Sequence, residues 1–227
     1  VVKHGNYGAS SVSGSSNVME QLGYVFKNDE AALSKEVKEA GICFLHAPLF
    51  HPALKTVSPI RRNMGLRTFF NMLGPIVNPA KPAYQLIGVY NLEMARLYNY
   101  AMQSLGKEFT LIHSLDGYDE ISLTSDTKII SNKGEYIMTP YQLGKRKVFP
   151  EELYGGNTAE AAAEIFKKII QGKGSWSQNA VVLANAAMAL QLTGQYENYE
   201  AAFQAAVKSL ESGAANNCLN QLISLQK

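Results

Sequence analysis

Short apolar runs bounded by turn signals alternate along this chain with longer stretches whose apolar residues recur at helical spacing. That alternation limits the fold more than any other feature of the sequence. Ile42–Leu45 is a short apolar run that reads as a buried strand, and Tyr84–Tyr90 and Phe109–His113 read as strands. Lys128–Ser131 and Glu135–Met138, joined through Asn132-Lys133-Gly134, read as a hairpin. Between them, Ser15–Leu22 predicts a short helix stopped by Gly23, and Asp29–Ala40 a second stopped by Gly41. Pro52–Met64 begins with proline, where the missing N–H costs nothing in a helix. Asn91 caps a stripe of Met94, Leu97, Tyr98, Ala101, Met102 and Leu105 that ends at Gly106. Gly74-Pro75 and Asn78-Pro79 are turn signals.

The last third is helical. Asn157 and Glu160 suggest a capping box ahead of Ala162, Ile165, Phe166, Ile169 and Ile170. Asn179–Leu192 is apolar nearly all round, as a core helix would be, and Tyr199–Leu210 is amphipathic. Strands interleaved with helices and followed by a helical tail predict an α/β fold, a helix-covered sheet in one domain over residues 1–227. Val1-Val2 reads as the end of a strand, with a loop from Gly5 to Gly14 after it.

Composition narrows the function classes. The chain is 46% hydrophobic with a net charge of +2, which disfavours a nucleic-acid-binding face. Its densest basic run, Lys145-Arg146-Lys147, reads as a solvated turn. Cys43 and Cys218 stand alone among small or apolar residues, so they build no disulfide framework or zinc site. No charged-then-apolar leader is evident, and Ala180–Leu192, interrupted by Asn185, is too short to span a bilayer. Cytoplasm is the expected compartment, with neither membrane nor nucleic acid as partner.

Two segments carry polar chemistry. Lys3, His4, Gly5, Gly8, Ser10, Ser11, Gly14 and Ser15 combine a cation, hydroxyls and close-approach glycines ahead of a helix. Such a loop suits phosphate, and an ordinary Gly/Ser loop has the same composition. Asp119-Glu120, just after the strand at Phe109–His113, can supply carboxylates to Mg²⁺, and such pairs also occur in solvated turns.

Longer patterns weigh between these alternatives. Lys3-His4-Gly5-Asn6, Ser10-Ser11, Gly14-Ser15 and Leu22-Gly23 form one block. His51-Pro52-Ala53, Arg61, Gly65-Leu66-Arg67-Thr68, Phe70-Asn71, Leu73-Gly74-Pro75 and Asn78-Pro79-Ala80 form a second. Asp116-Gly117-Tyr118-Asp119-Glu120-Ile121-Ser122 is a third. Together they resemble the anthranilate phosphoribosyltransferase family. Gly155-Gly156-Asn157, Asn185-Ala186-Ala187 and Ser212-Gly213-Ala214-Ala215 resemble its packing signatures and add no site. Ser16, Asn17 and Tyr7 depart from the family's usual Ala, Asp and Arg.

The resemblance implies a mostly parallel central sheet of the nucleoside phosphorylase/phosphoribosyltransferase C-terminal domain type, truncated at its N-terminus. It implies transfer of the phosphoribosyl group from 5-phosphoribosyl 1-diphosphate to anthranilate, in tryptophan biosynthesis. Lys3, His4, Gly5, Asn6, Ser10, Ser11, Ser15, His51 and Arg61 would bind the substrates, with Arg61 on the anthranilate carboxylate, Asn6 orienting the amine and His4 and His51 lining its pocket. Asp119 and Glu120 would hold Mg²⁺. No covalent nucleophile is implied, only positioning and charge stabilisation. The family's N-terminal helical domain, which carries its homodimer contact, and its Gly-Thr-Gly-Gly-Asp loop have no counterpart in these residues. Little or no activity is therefore expected of this chain alone. A pyrimidine-nucleoside phosphorylase is disfavoured by the block from Arg61 to Ala80, a nucleic-acid-binding relative by the near-neutral charge, and an inactive remnant by the intact Lys3–Asn6 and Asp119-Glu120.

Overall fold

The computed structural model describes residues 1–7, 13–52 and 73–226. Gly8, Ser10, Ser11, Arg61 and nearly all of the helix expected at Pro52–Met64 lie outside the described residues. The chain forms two compact units, one of residues 1–82, 155–167 and 215–227, the other of residues 83–154 and 168–214.

In the first unit β1 (Val2–Gly5) pairs in parallel with β2 (Cys43–His46), with Val2 opposite Cys43 and Gly5 opposite His46. The strand therefore continues past Val1-Val2, and Lys3 and His4 lie on it rather than in the loop the sequence suggests. Pairing with a wholly buried strand decides the matter, because the ladder's hydrogen bonds outweigh the polar composition. Two helices separate the strands, α1 (Ser15–Gln21) and α2 (Glu30–Ala40). Asp29 caps α2 by accepting from the Ala32 N–H at 2.7 Å, and Gly41 ends it at φ +75°, a conformation that costs glycine little.

A short helix, α3 (Ala47–Phe50), follows β2. Gly74-Pro75 falls inside a one-turn helix, α4 (Leu73–Ile76), instead of a plain turn, since proline is tolerated in a first helical turn. Asn78-Pro79 is the turn expected, with the Lys81 N–H donating to the Asn78 carbonyl at 3.0 Å. Met19, Tyr24, Ala40, Phe44 and Leu222 form the main core of this unit.

The second unit is built on a four-stranded sheet ordered β3 (Tyr84–Gly88), β4 (Glu108–Ser114), β5 (Thr127–Ser131), β6 (Gly134–Met138). β3 and β4 are parallel and connected by α5 (Leu92–Ser104), whose N-cap Asn91 accepts from the Met94 N–H at 2.8 Å. The predicted hairpin supplies the antiparallel pairs β4–β5 and β5–β6. After it come α6 (Pro140–Gly144) and a 3₁₀ turn at Pro150–Leu153. The next helix, α7 (Ala159–Ile170), is capped by Thr158, one residue later than the expected Asn157; the Thr158 hydroxyl accepts from the Ala161 N–H at 3.1 Å.

α8 (Trp176–Leu192) starts earlier than the apolar run does, because Ser175 and Gln178 form a reciprocal capping box. Its inner face buries Ala180, Ala184, Ala187 and Met188, while Val182 is 44% exposed, so the helix is apolar all round but not buried all round. α9 (Tyr199–Glu211) packs on it, and both cover a core that includes Ile112, Ile121, Leu123 and Ile129. The last helix is α10 (Ala214–Ser224). The Lys145-Arg146-Lys147 run is the solvated turn expected, and its cations form surface pairs, Lys145 with Glu200 at 3.0 Å and Arg146 with Glu152 at 2.8 Å. The Arg146 guanidinium also lies 4.3 Å from the Trp176 ring centroid.

Candidate active site

The predicted substrate-binding residues begin on β1. The Lys3 ammonium lies 5.8 Å from the Phe44 ring centroid, and burial lowers its pKa. It folds back over Gly5, where a Cβ would come within 3.1 Å of Nζ. His4 is brought to His51, with their Nε2 atoms 3.1 Å apart. His4 Nδ1 lies 2.9 Å from the Gly74 carbonyl oxygen. A carbonyl only accepts, so Nδ1 carries the His4 proton, and in neutral His4 the Nε2 lone pair accepts from His51 Nε2–H. Burial foremost, then the charges of His51 and Lys3, lower the His4 pKa against the opposing pull of the Gly74 carbonyl. The neutral tautomer therefore dominates at pH 7.

Asn6 is exposed and its Oδ1 accepts from the Tyr7 N–H at 2.8 Å. Ser15 is the exposed first residue of α1. Of the departures from the family pattern, Asn17 accepts from the Gly14 N–H at 3.0 Å, and Tyr7 donates to Glu20 at 2.7 Å. One residue the sequence reading missed is His46. It is 6% exposed, stacked on Phe26 at 4.7 Å and met edge-on by Tyr7 at 4.6 Å. Its position at the end of an apolar run gave no signal beyond burial, and that burial lowers its pKa.

The carboxylates belong to the second unit. Beyond β4 the chain turns sharply: the Gly117 N–H donates to the Ser114 carbonyl at 2.9 Å, and Gly117 takes φ +105°. Asp116 accepts from the Thr124 hydroxyl and, at 2.9 Å, from Ser125, which ties the turn to the loop that follows it. Asp119 and Glu120 follow, both exposed. Protein around the Glu120 carboxyl still desolvates it, and this, ahead of the neighbouring Asp119 charge, raises its pKa. Among the described residues no three metal-ligating side chains converge. An adjacent pair of exposed carboxylates suits Mg²⁺, which takes one or two protein carboxylates and completes its shell with water and phosphate oxygens.

The sequence pattern of the glycosyl transferase family, a/b domain, matches residues 1–216, which sets the class. The anthranilate phosphoribosyltransferase of Flavobacterium johnsoniae is 54% identical over 98% of this chain and 67% of its own length. That of Christiangramia forsetii is 52% identical over 100% and 68%. The crystal structure of the Thermus thermophilus enzyme superposes with a TM-score of 0.91 at 31% identity, covering 100% of this chain and 68% of that one. The Saccharomyces cerevisiae enzyme in complex with PRPP and Mg gives 0.91 at 27% identity, covering 99% and 64%. The chain belongs to the anthranilate phosphoribosyltransferase family. It spans about two thirds of the length of these relatives. Among the described residues no helix is long and apolar enough to cross a membrane.

Proposed function

We propose that the protein to which this chain belongs carries out the phosphoribosyl transfer of its family, from 5-phosphoribosyl 1-diphosphate to the amine of anthranilate, in tryptophan biosynthesis. The observation that carries this reading is the match, over essentially the whole chain, to proteins named for that reaction. The anthranilate nitrogen bonds to C1 of the ribose, the C1–oxygen bond to diphosphate breaks, and the amine gives up a proton. Diphosphate leaves readily once its charge is matched, so positioning and electrostatics suffice and no covalent nucleophile is required.

Arg61 takes the anthranilate carboxylate as a bidentate fork. Asn6 orients the amine, and His4 and His51 line the same pocket. Because His4 is neutral and accepts from His51, the pair presents a fixed hydrogen-bonded edge to the aromatic ring. Lys3, Gly5, Ser10, Ser11 and Ser15 hold ribose and phosphate groups. Asp119 and Glu120 hold Mg²⁺, which when bound neutralises charge on the diphosphate. The same reading makes the whole protein a cytoplasmic homodimer with neither nucleic acid nor membrane as partner. No Gly-Thr-Gly-Gly-Asp run occurs in the 227 residues, so this chain alone turns over slowly or not at all.

Loss of anthranilate fluorescence on adding Mg²⁺ and 5-phosphoribosyl 1-diphosphate tests the reading. The assay uses the chain alone and the chain joined to the remaining third of the Flavobacterium relative. Turnover by the chimaera alone supports both the reaction and the need for the absent loop. Turnover by both keeps the reaction and overturns the expected inactivity. Silence from a folded chimaera with both substrates and metal present overturns the transfer itself.

A further inference from the structure

Asn185 interrupts an otherwise apolar stretch of α8, and the sequence reading takes it as packing. Its amide does something more specific. Oδ1 accepts from the Ile121 N–H at 3.0 Å while Nδ2 donates to the Ile121 carbonyl at 2.8 Å. A third bond, from Nδ2 to the Val181 carbonyl one helical turn back at 2.9 Å, fixes the rotamer. The side chain thus grips both backbone groups of one residue, as a neighbouring strand would, at the residue that directly follows Glu120.

The same stretch is held from two other sides. The Ser114 hydroxyl donates to the Glu120 carbonyl at 2.6 Å and accepts from the Ser122 N–H at 3.1 Å. The Asp119 carbonyl lies against the α-carbon of Gly88, where a Cβ would stand 1.6 Å from its oxygen. Beneath these contacts the Ile121 side chain is wholly buried. The backbone from Asp119 to Ser122 is therefore pinned, while Asp119 and Glu120 are themselves surface residues. A polar amide on the core face of a helix is unfavourable unless every group is bonded, and here the loop supplies the partners.

We propose that Asn185 is a positioning residue for the Asp119–Glu120 pair, setting where the carboxylates stand by gripping Ile121; this rests on the metal reading of that pair given above. Mg²⁺ tolerates little departure from octahedral geometry, so loosening the backbone that carries its carboxylates weakens binding.

The test is Mn²⁺ titration of the chimaera described above at a fixed concentration of 5-phosphoribosyl 1-diphosphate, read by electron paramagnetic resonance against a protein-free sample because the diphosphate itself chelates the ion, together with hydrogen exchange of the peptide that contains Ile121. Asn185→Ala is expected to weaken Mn²⁺ by about ten- to a hundred-fold, the range for residues that orient metal ligands. Exchange at Ile121 should accelerate while the rest of the sheet stays protected. Ser114→Ala, which removes the grip at Glu120 and leaves α8 intact, should act in the same direction and decides the matter if Asn185→Ala does not fold. Folded variants that melt lower but bind Mn²⁺ as tightly as the parent would reduce Asn185 to packing and overturn the proposal. Asp119→Asn combined with Glu120→Gln separates the two readings. Mn²⁺ binding unaffected by that double change, or absent from the unaltered chimaera, sinks the metal assignment and this inference with it. Binding lost there but unchanged in Asn185→Ala and Ser114→Ala sinks only the inference.

Discussion

A methyl group at position 88 would stand 1.6 Å from the Asp119 carbonyl oxygen, far inside van der Waals contact. The end of β3 and the carboxylate loop pack together only because residue 88 has no Cβ. Gly88→Ala must therefore push the loop away, at about 1–3 kcal/mol for forced overpacking. Urea denaturation should show a lowered midpoint, and an unchanged one would mean that the loop yields freely. Glu152 allows a sharper test at single-residue scale. Hydrogen bonds from Arg146 first, then the Phe149 N–H and the Ser177 hydroxyl, hold its pKa at about 2 against an ordinary 4.5. A depressed carboxyl stabilises the fold above its unfolded pKa and loses that contribution as pH falls through the folded one. The stability difference between the parent and Glu152→Gln should be constant above pH 4.5, shrink between 4.5 and about 2, and then level off. A difference that does not vary across that window would show the Arg146–Glu152 pair to be unformed in solution. At this scale the sequence exposes residues whose chemistry sits in a contiguous pattern, such as Lys3-His4-Gly5-Asn6 and Asp119-Glu120. It hides Gly88 and Asn185, whose roles depend on partners far along the chain, 64 residues away for Asn185 and Ile121.

Helices announce themselves through local chemistry, and this is why most of them are legible here. The caps at Asp29 and Asn91 and the stop at Gly41 act within one turn of their own position. β1 is misjudged for the opposite reason, since its extent depends on pairing with a strand about forty residues later. The joining of helices is equally invisible to local pattern. Tyr199, in α9, sends its single hydroxyl hydrogen toward two carbonyls, Leu143 at 2.7 Å and Ala184 at 3.2 Å. These belong to α6 and α8, so one buried group links three elements. Burial pushes its pKa up and keeps it a donor throughout the physiological range. Tyr199→Phe preserves the ring and takes the hydroxyl donor away from the Leu143 carbonyl, at a cost of about 1–2 kcal/mol. Thermal unfolding read by Trp176, the only tryptophan and part of the same unit, measures it. No shift in midpoint would show that water replaces the hydroxyl without loss.

On the scale of the whole chain, sequence order and spatial grouping part company. Residues 215–227 follow the helices of the second unit yet belong to the first. There Leu222 is buried in the core with Met19, Tyr24 and Phe44, the Cys218 thiol donates to the Ala40 carbonyl at 2.9 Å, and Gln226 donates to Glu36 at 2.9 Å. Glu36 is a buried carboxylate that also accepts from Tyr24 at 2.7 Å and pairs with Lys27 at 2.8 Å. Removing one partner of a buried charge costs more than an average hydrogen bond, because the charge stays behind. Deleting residues 215–227 therefore takes away a core side chain and part of the Glu36 network together, both in one unit. Hydrogen exchange by mass spectrometry should show β1, α2 and β2 losing protection by an order of magnitude or more. The sheet β3–β6, whose ladder and core draw on none of the deleted residues, should keep its own. Equal loss across both sheets would mean that the chain unfolds as one cooperative body, and that the grouping of its segments into two units carries no energetic weight.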